Sequence, residues 1–503
     1  MEFHSYSSTC AFKSIEDIKN KHVTIMGLGL NGGGEAAVRF FLKKGAYVTV
    51  TDMKTPEQLK PTVDKINNDP ELDTSKLTYR LGEHKMEDFE NADCVIKNPG
   101  VKYEGNKYLA AAKAIETDLS IFLRFTTAPI IAVTGSKGKS STVSSIYYGL
   151  KTAGYKTFLG GNITVSPLTF FDEVTQDTPV VIEFSSWQLA DLRGRKVLKP
   201  YISIITKIVP DHQNWYGNME DYVADKRLIY ADQDEGCYSI FDDGEDEPGT
   251  GPKCGGTWGD LFASETKATV LRYGKTELRK GFGAWQTKDD KGNFCGKILL
   301  PRMEKPETIL SSLSVPGDHM KVNVLNAAMV MYLMGIPAKK TEEICGKWQG
   351  IDHRLQYFHS WKNSNGTTYK FYNDSCATVP EAASAATKAF NKPVILLTGG
   401  TDKGLELDIL EETLKTSPVK DLYFLAGTAT DKILPGLNKA SVKYHGPFNN
   451  LEALFAELKE NISKESEKED QIVVFSPGAT SFGMFTNEFD RGNKFMAGIK
   501  NLF

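Results

Sequence analysis

A short glycine- and lysine-rich stretch constrains the fold of this chain more than any other feature. Residues 130–134 form an apolar, β-rich run, and the sequence continues as Gly-Ser-Lys-Gly-Lys-Ser-Ser over residues 135–141. The residues that follow have helical character, so this part of the chain is predicted to be a strand, a phosphate-binding loop and a helix. Backbone N–H groups of such a loop, at the N-terminus of a helix, bind anionic oxygens. The stretch therefore predicts a nucleotide-phosphate site.

Individual side chains of this loop have separate predicted roles. Lys139 places a positive charge on the phosphates, and the hydroxyl of Ser140 or Ser141 can contact Mg²⁺. The spacing differs from the common P-loop, because Val133 stands where a glycine is expected. The alternative is a surface turn rich in glycine, serine and lysine. An apolar strand before the loop, and Gly-Lys-Ser at the start of the helix, favour the phosphate loop.

The composition is that of a soluble globular protein, and it excludes some classes of partner. A chain of 503 residues predicts two or three domains. A formal net charge of −4 gives no general affinity for nucleic acid or anionic membranes. The seven cysteines are scattered, which indicates reduced thiols in a cytosol. The polar start and the lack of a long apolar run lead us to expect a cytoplasmic protein without membrane insertion.

A second glycine-rich turn lies near the N-terminus. A short strand over residues 21–26 leads into Gly27-x-Gly29-x-x-Gly32, helical spacing follows over 35–44, and a second strand ends at Asp52. This is the βαβ arrangement of a nucleotide-binding turn, in which the acid accepts from a ribose or uracil edge. The alternative is a tight packing turn between strand and helix. A further strand begins at Cys94 and ends in a turn, and the first domain is predicted to close near Arg124.

Polar side chains also follow the strands after the phosphate loop. Glu183 ends a buried strand, where proteins with a phosphate loop usually hold Mg²⁺. A later strand leads to Asp211 and His212, and then to Lys226. Taken singly, His212 fits a loop histidine and Lys226 a solvated helix lysine. Residues 236–310 alternate glycine, charge and short strand-like pieces, and they predict an insertion or an embellished β segment.

The C-terminal part alternates strands and helices again. Strands are predicted at residues 369–375, 394–400, 422–425 and 472–475, with a helix over 380–390. This pattern indicates a further α/β domain with a mainly parallel sheet. The expected fold class is α/β with three domains, over residues 1–124, 125–350 and 351–503.

Several motifs, taken together and in order, resemble one family. They are the loop from Thr134 to Ser140, Glu-Phe-Ser-Ser-Trp-Gln-Leu from Glu183, Asp211-His212 with Lys226, Gly317-x-His319 with Asn323, His353-Arg354, and Asn373-Asp374-Ser375. The set resembles the Mur ligases, ATP-dependent amide-forming enzymes of bacterial peptidoglycan precursor synthesis. The N-terminal glycine turn and the segment Ser-Pro-Gly-Ala-Thr-Ser-Phe from Ser476, with Arg491-Gly492, favour the branch that adds D-glutamate. The resemblance covers nearly the whole chain.

The resemblance implies an architecture and a set of ligands. The N-terminal domain would be Rossmann-like and bind a UDP substrate. The central domain would be a P-loop-type ATPase with a mainly parallel sheet and an insertion at about 236–310, and the C-terminal domain would be Rossmann-like and bind the incoming amino acid. ATP and two Mg²⁺ ions are implied, in a monomer that binds no nucleic acid.

Roles for individual residues follow from the resemblance by motif match. At the UDP substrate it places Leu30, Asn31, Asp52, Lys54, Gly100 and Asn162. At ATP it places Gly135, Ser136, Lys137, Gly138, Lys139, Ser140, Ser141, Asn323, Arg354 and Asp374. At the metal it places Ser140, Glu183, His212 and Lys226, the last as a carbamate formed with CO₂; Lys139 joins Glu183, His212 and Lys226 as catalytic. At D-glutamate it places Thr378, Lys403, Ser481 and Phe482.

The implied reaction adds D-glutamate to UDP-N-acetylmuramoyl-L-alanine through an acyl phosphate. One alternative is another Mur-type or folylpolyglutamate-type ligase, because few residues decide the amino acid. A second is a nucleotide-binding dehydrogenase or switch module without ligation, which predicts nicotinamide binding. The retention of Lys139, Glu183, His212 and Lys226 together argues against an inactive scaffold. Phosphate release from ATP, with substrates supplied or omitted, separates these hypotheses.

Overall fold

The computed structural model of the protein describes residues 3–30, 32–163, 165–390, 392–417 and 419–503. The chain divides into two units. The first comprises the residues up to 311 together with 322–345, and the second comprises 312–321 together with 346–503. Three β-sheets of five, nine and six strands form the frame of the described chain. Short 3₁₀ helices occupy Glu16–Ile18, Thr74–Lys76 and Pro167–Glu173.

The first sheet consists of five parallel strands. They are β1 (His22–Met26), β2 (Tyr47–Asp52), β3 (Leu77–Leu81), β4 (Cys94–Lys97) and β5 (Ile115–Glu116), in the spatial order β3-β2-β1-β4-β5. Its helices are α1 (Gly33–Lys43), α2 (Pro56–Asn67), α3 (Met86–Glu90), α4 (Lys107–Ala111) and α5 (Asp118–Phe125). The order reverses between β1 and β4, and α/β proteins bind ligands in the crevice beyond the strand ends at such a point.

The second sheet, also in the first unit, has nine strands. They are β6 (Ile130–Thr134), β7 (Phe158–Gly161), β8 (Val180–Glu183), β9 (Ile202–Ile205), β10 (Tyr238–Asp242), β11 (Thr269–Gly274), β12 (Gly283–Lys288), β13 (Phe294–Leu299) and β14 (Glu307–Leu310). Its helices are α6 (Lys139–Ala153), α7 (Ser186–Ala190), α8 (Gln213–Tyr216), α9 (Met219–Ala231), α10 (Trp258–Glu265), α11 (Asp318–Leu333) and α12 (Ala338–Gly346).

The order of this second sheet is β14-β13-β12-β11-β10-β9-β6-β8-β7. Strands β6 to β12 pair in parallel, whereas β13 and β14 are antiparallel additions at one edge. The five residues of β6 are all buried, as expected for a strand with helices on both faces. Strands β10 to β14 show that the segment at 236–310 extends this sheet.

The third sheet forms the frame of the second unit. Its strands are β15 (Gln356–Lys362), β16 (Thr368–Asn373), β17 (Val394–Thr398), β18 (Val419–Leu425), β19 (His445–Phe448) and β20 (Gln471–Phe475), in the order β15-β16-β20-β17-β18-β19. All pairs are parallel except β15 with β16. The helices are α13 (Pro380–Lys388), α14 (Asp408–Thr416), α15 (Thr428–Lys439), α16 (Leu451–Lys464) and α17 (Glu488–Leu502).

Successive residues of the third sheet enter opposite apolar cores. Leu397 and Val473 belong to the cluster that includes Phe495, whereas their neighbours Leu396 and Val474 belong to the cluster on the other face. Such a sheet is covered by helices on both faces, which explains its continuous apolar strands. The three parallel or mainly parallel sheets confirm the predicted fold class. Among the described helices, none has the length and apolar character needed to cross a bilayer.

Candidate functional site

Two glycines shape the loop between β6 and α6. Gly135 has φ +142° and Gly138 has φ +93°. A Cβ atom on Gly135 would lie 2.0 Å from Thr206 Oγ1, and one on Gly138 would lie 2.4 Å from Asn323 Oδ1. Gly138 precedes α6, and within the described chain no side chain caps the helix. The N–H groups of its first turn can therefore bind anionic oxygens, as the sequence predicted.

The first half of the same loop is fixed by the segment after β9. The N–H groups of Ser136 and Lys137 donate to Lys207 O at 3.0 and 3.3 Å. The Ser136 hydroxyl donates to Val209 O at 2.8 Å and accepts from Tyr222 Oη at 3.0 Å. Ser136 thus has a structural task besides its predicted contact with ATP. In the second half of the loop, Ser140 is half-buried and Ser141 is buried.

Two lysines donate hydrogen bonds to the same carbonyl oxygen of the loop, that of Gly135. Lys139 Nζ donates to Gly135 O at 3.0 Å, and Lys226 Nζ, from α9, donates to the same oxygen at 2.9 Å. Lys226 is 2% exposed, and its Nζ lies 4.5 Å from the centroid of the Tyr222 ring. Burial, followed by the Lys139 ammonium, lowers the pKa of Lys226 to about 7. Burial also lowers the pKa of Lys139, against the attraction of Glu183 and Asp211.

Glu183 presents a carboxylate oxygen that is suited to a cation. Its Oε1 accepts from Asn162 Nδ2 at 2.8 Å, and the backbone N–H of Asn162 donates to Glu183 O at 2.9 Å. Its Oε2 is buried and, within the described chain, has no hydrogen-bond partner. A buried carboxylate oxygen without a donor is unfavourable unless a cation or ligand satisfies it. The site therefore fits Mg²⁺, and Asn162, predicted at the muramoyl group, holds the carboxylate in place.

His212 lies at the end of the loop that follows β9. It adopts left-handed backbone with φ 52°, unusual for a residue other than glycine, immediately before α8. Its ring is 5.2 Å from that of Trp187 and 6.2 Å from that of Tyr222. Strained backbone of this kind is common at functional sites. Beside His212 in the sequence, Asp211 Oδ2 lies 3.9 Å from Nζ of Lys137, whose side chain is 72% exposed.

Three of the predicted UDP-substrate residues line one cavity of about 480 Å³ at the first sheet. Leu30, Asp52 and Lys54 contribute to its wall. Asp52 accepts from the N–H of Gly29 at 3.0 Å and from that of Lys54 at 2.9 Å, so it also shapes the glycine turn. Gly100 lines a neighbouring cavity of about 100 Å³. Asn31 lies outside the described residues.

The sequence reasoning missed two residues here, His84 at the larger cavity and Lys97 at the smaller one. His84 lines the larger cavity, and its Nδ1 is 2.5 Å from Thr51 Oγ1, while burial lowers the pKa of the ring. Lys97, at the end of β4, is 2% exposed and forms an ion pair with Asp191. The sequence did carry one signal for Lys97, because a lysine that ends an apolar strand directly before Asn-Pro-Gly is unusual.

Asp374 and Arg354 belong to the second unit. Asp374 Oδ2 accepts from Ser476 Oγ at 2.6 Å, and its Oδ1 accepts from the N–H of Leu355 at 3.0 Å. Burial raises the pKa of Asp374 to about 7. Arg354 is exposed, and it lies between His353 and Leu355, which have φ 60° and 42°. Arg354 thus stands in a turn with left-handed backbone on either side, and the N–H of Leu355 ties this turn to Asp374.

The predicted amino-acid residues lie at the carboxyl ends of three neighbouring parallel strands, β16, β20 and β17. Lys403 Nζ donates to Thr378 Oγ1 at 3.5 Å, which brings these two side chains together. Ser481 is 3% exposed, whereas Phe482 is 65% exposed and its carbonyl accepts from Thr401 Oγ1 at 2.6 Å. A cation and hydroxyls at this edge can hold a carboxylate.

Arg491 was not predicted as a site residue, although it supports this edge. It is 1% exposed, donates from Nε to Ser375 Oγ at 3.0 Å, and donates from Nη1 to Ala479 O at 3.0 Å. Burial lowers the pKa of Arg491 to about 10. It therefore ties the turn after β16 to the turn after β20.

Comparison with known proteins finds two family models that match this chain. The Mur ligase middle domain matches residues 133–331, and the MurD-like N-terminal domain of Mur ligases matches residues 21–119. The UDP-N-acetylmuramoylalanine–D-glutamate ligase of Treponema pallidum (strain Nichols) is 37% identical, over 97% of this chain and 98% of that protein. The protein of the same name from Borreliella burgdorferi (strain ATCC 35210) is also 37% identical, over 97% of this chain and 99% of that protein.

Solved structures of low identity share the fold. The UDP-N-acetylmuramate-alanine ligase MurC from Thermotoga maritima has a TM-score of 0.52 at 17% identity, covering 96% of this chain and 100% of that chain. MurF from Acinetobacter baumannii has a TM-score of 0.52 at 14% identity, covering 83% of this chain and 93% of that chain. These likenesses agree with the three-sheet α/β architecture.

Proposed function

The chain belongs to the Mur ligases, and from this premise we propose that it joins D-glutamate to UDP-N-acetylmuramoyl-L-alanine in an ATP-dependent reaction of peptidoglycan precursor synthesis. The observation that carries the proposal is the likeness, over nearly all of the chain, to ligases named for this activity. The geometry supports it, because three features lie at one end of the second sheet: the loop before α6, two lysines that donate to one carbonyl, and a buried carboxylate oxygen with no hydrogen-bond partner among the described residues.

We assign one ligand to each sheet. The UDP substrate binds at the cavity of the first sheet, ATP binds at the loop before α6, and D-glutamate binds at the edge that carries Lys403. The corresponding domains are 1–124, 125–350 and 351–503. The cavity at β1 and β4 supports the first assignment, and the Lys403–Thr378 contact supports the last. The enzyme would act in the cytoplasm, where nucleotide-linked precursors and ATP occur together.

The reaction has to convert a poor leaving group into a good one. The carboxylate of the UDP substrate attacks the γ-phosphorus of ATP, ADP leaves, and an acyl phosphate forms. The amino group of D-glutamate then attacks the acyl carbon, loses a proton, and expels phosphate. Two unit charges about 4 Å apart repel by about 4 kcal/mol at an effective dielectric constant of about 20. Cationic groups around the phosphates are therefore needed to bring the two anions together.

The residues of this chain divide that task. Lys139 and the N–H groups of the first turn of α6 hold the ATP phosphates. When bound, Mg²⁺ neutralises phosphate charge and polarises the transferring group. Glu183 would hold it through Oε2, together with Ser140 and His212. Asn162 Nδ2 donates to Glu183 Oε1 at 2.8 Å and so fixes the orientation of that carboxylate.

Lys226 completes the proposed metal set after reaction with CO₂. An ordinary lysine is almost fully protonated at neutral pH and does not attack CO₂. With a pKa of about 7, a substantial fraction of Lys226 is the neutral amine. The amine nitrogen bonds to the carbon of CO₂ and releases one proton, and the product is an anionic carbamate whose oxygens can hold a second Mg²⁺ ion.

Phosphate release from ATP tests the proposal with the purified full-length chain. Release should be fast only when UDP-N-acetylmuramoyl-L-alanine and D-glutamate are both present. Omitting either substrate is the matched control. Equal activity with L-lysine or meso-diaminopimelate in place of D-glutamate would overturn the amino-acid assignment and leave the ligase class standing. Release that is independent of the UDP substrate would overturn the ligase itself.

A further inference from the structure

A buried lysine connects the nucleotide cavity of the first sheet to the segment after Glu183. Lys97 is the last residue of β4 and is 2% exposed. Its Nζ donates to Asn98 O at 3.2 Å and to Val101 O at 2.7 Å, and it lies 2.8 Å from Asp191 Oδ2. Lys97 thus donates to two carbonyls of one turn, and its charge is paired with one carboxylate.

The turn held by Lys97 forms part of the wall of the 480 Å³ cavity, through Asn98 and Val101. The turn also has hydrogen bonds of its own. The N–H of Gly100 donates to Asn98 Oδ1 at 3.0 Å, and the N–H of Val101 donates to Asn98 O at 3.0 Å. Lys97 adds the only side-chain donor recorded on the carbonyls of Asn98 and Val101 in the described chain.

Asp191 lies between β8 and β9 of the second sheet, in the same unit. It follows α7, and α7 starts three residues after Glu183. The carboxylate is 7% exposed, and Tyr6 Oη donates to its Oδ1 at 3.3 Å. Burial raises the pKa of Asp191 to about 6, and the Lys97 and Arg195 cations oppose this effect. A buried carboxylate without a cation is strongly unfavourable, so the ion pair fixes the distance between the two segments.

We propose that Lys97 is a positioning residue for the nucleotide substrate: it sets the turn of residues 98–101 that contacts the uridine nucleotide, and through Asp191 it holds that turn at a fixed place relative to the segment that follows Glu183. The inference rests on the proposed function for the identity of the substrate. It assigns to Lys97 a role in binding the UDP substrate and none in the binding of ATP or D-glutamate.

Lys97 could instead serve only to neutralise the charge of Asp191. Two variants distinguish this role from positioning of the turn. Lys97→Met removes the donor to both carbonyls and leaves Asp191 unpaired. Lys97→Met/Asp191→Asn removes the donor as well, but it leaves no uncompensated charge. If Lys97 only neutralises Asp191, the double variant recovers everything that the single variant loses. If Lys97 positions the turn, the double variant recovers stability and not substrate affinity.

The experiment measures KM for each substrate by phosphate release, Kd for UDP by calorimetry and Tm by thermal unfolding. Lys97→Met should raise KM for the UDP substrate and Kd for UDP by about 10-fold. A change of this size corresponds to the contribution of about one hydrogen bond to binding. The KM values for ATP and D-glutamate should stay within about twofold, which is below that effect. The double variant should keep the raised KM and regain Tm. Lys113→Met, an exposed lysine near the same sheet, is the control and should match the wild type in every quantity.

A normal KM and Kd in either Lys97 variant would overturn the inference. If Lys97→Met does not fold, the double variant decides alone, because it carries the same loss of donor without the unpaired charge. Failure of the proposed function has a different signature: the wild type itself would release no phosphate with UDP-N-acetylmuramoyl-L-alanine and D-glutamate. The calorimetric comparison of UDP binding still decides the role of Lys97 in that event.

Discussion

Replacing Lys226 with methionine should remove the activity of the protein and increase its stability. Methionine has a similar length but no charge, and Gly135 O keeps Lys139 as a donor at 3.0 Å. Burial lowers the pKa of Lys226 from the ordinary 10.5 to about 7. The unfolded chain therefore holds a proton between these pH values that the folded chain has lost. The free energy of unfolding of the wild type must rise with pH across this window.

The size of the effect follows from the same two pKa values. Relative to methionine, the buried lysine destabilises the folded wild type by about 4 kcal/mol at pH 7 and by about 2 kcal/mol at pH 9, as upper limits. Urea unfolding in CO₂-free buffer at both pH values measures the difference between Lys226→Met and the wild type. That difference should shrink by about 2 kcal/mol between pH 7 and pH 9. An equal difference at both pH values would show that Lys226 is an ordinary charged lysine.

The activity of the variants tests the carbamate directly. Lys226→Ala should lose nearly all phosphate release, and acetate or formate should restore part of it by occupying the vacated position as a carboxylate. Lys226→Met should lose as much activity and show no rescue, because its side chain fills that position. Near-normal turnover of Lys226→Ala without added carboxylate would rule the carbamate out.

Three further substitutions test other parts of the site. Glu183→Gln should lower phosphate release by about 10²- to 10³-fold without lowering Tm, because the cation loses the charge of Oε2; release near that of the wild type would exclude the metal role. Lys403→Ala should raise KM for D-glutamate by about 10-fold and leave KM for ATP unchanged, and an unchanged glutamate KM would identify a surface lysine. Gly138→Ala should destabilise the protein in urea by about 2–3 kcal/mol, because its Cβ would meet Asn323 Oδ1. Gly154→Ala is the control and should cost about 1 kcal/mol, because Gly154 also has a positive φ, +105°, but its added Cβ would have no packing neighbour within 4 Å among the described residues. Equal losses in the two glycine variants would contradict the steric argument.

The parts of the site that were predictable are those encoded by neighbouring residues. An apolar run, two glycines and Gly-Lys-Ser are enough to specify a strand, a loop and a helix start, and the structure has β6 and α6 at those positions. The carboxyl end of a parallel strand lies beside its neighbours, so Glu183 could be placed at the same edge as the loop. Local pattern and sheet geometry carry this information without any alignment.

The parts that were not predictable depend on contacts between distant residues. Lys97 and Asp191 are ordinary charged residues in the sequence, and only the fold brings them within 2.8 Å. Ser136 was expected at ATP, but its hydroxyl lies between Val209 O and Tyr222 Oη. Hydrogen bonding of a side chain depends on what packs against it, and a sequence pattern does not specify that.

The pairing scheme of the second sheet also implies an order of assembly. Strands β12 and β13 are joined by residues 289–293 alone, so this hairpin closes a short loop. By contrast, Ile131 of β6 pairs with Val181 of β8 and with Ile202 of β9, across long intervening segments. Loops of that length close slowly, so contacts of high sequence separation form late in folding. The antiparallel edge is expected to gain protection from hydrogen exchange early, and the strands that carry the phosphate loop and Glu183 are expected to gain it last.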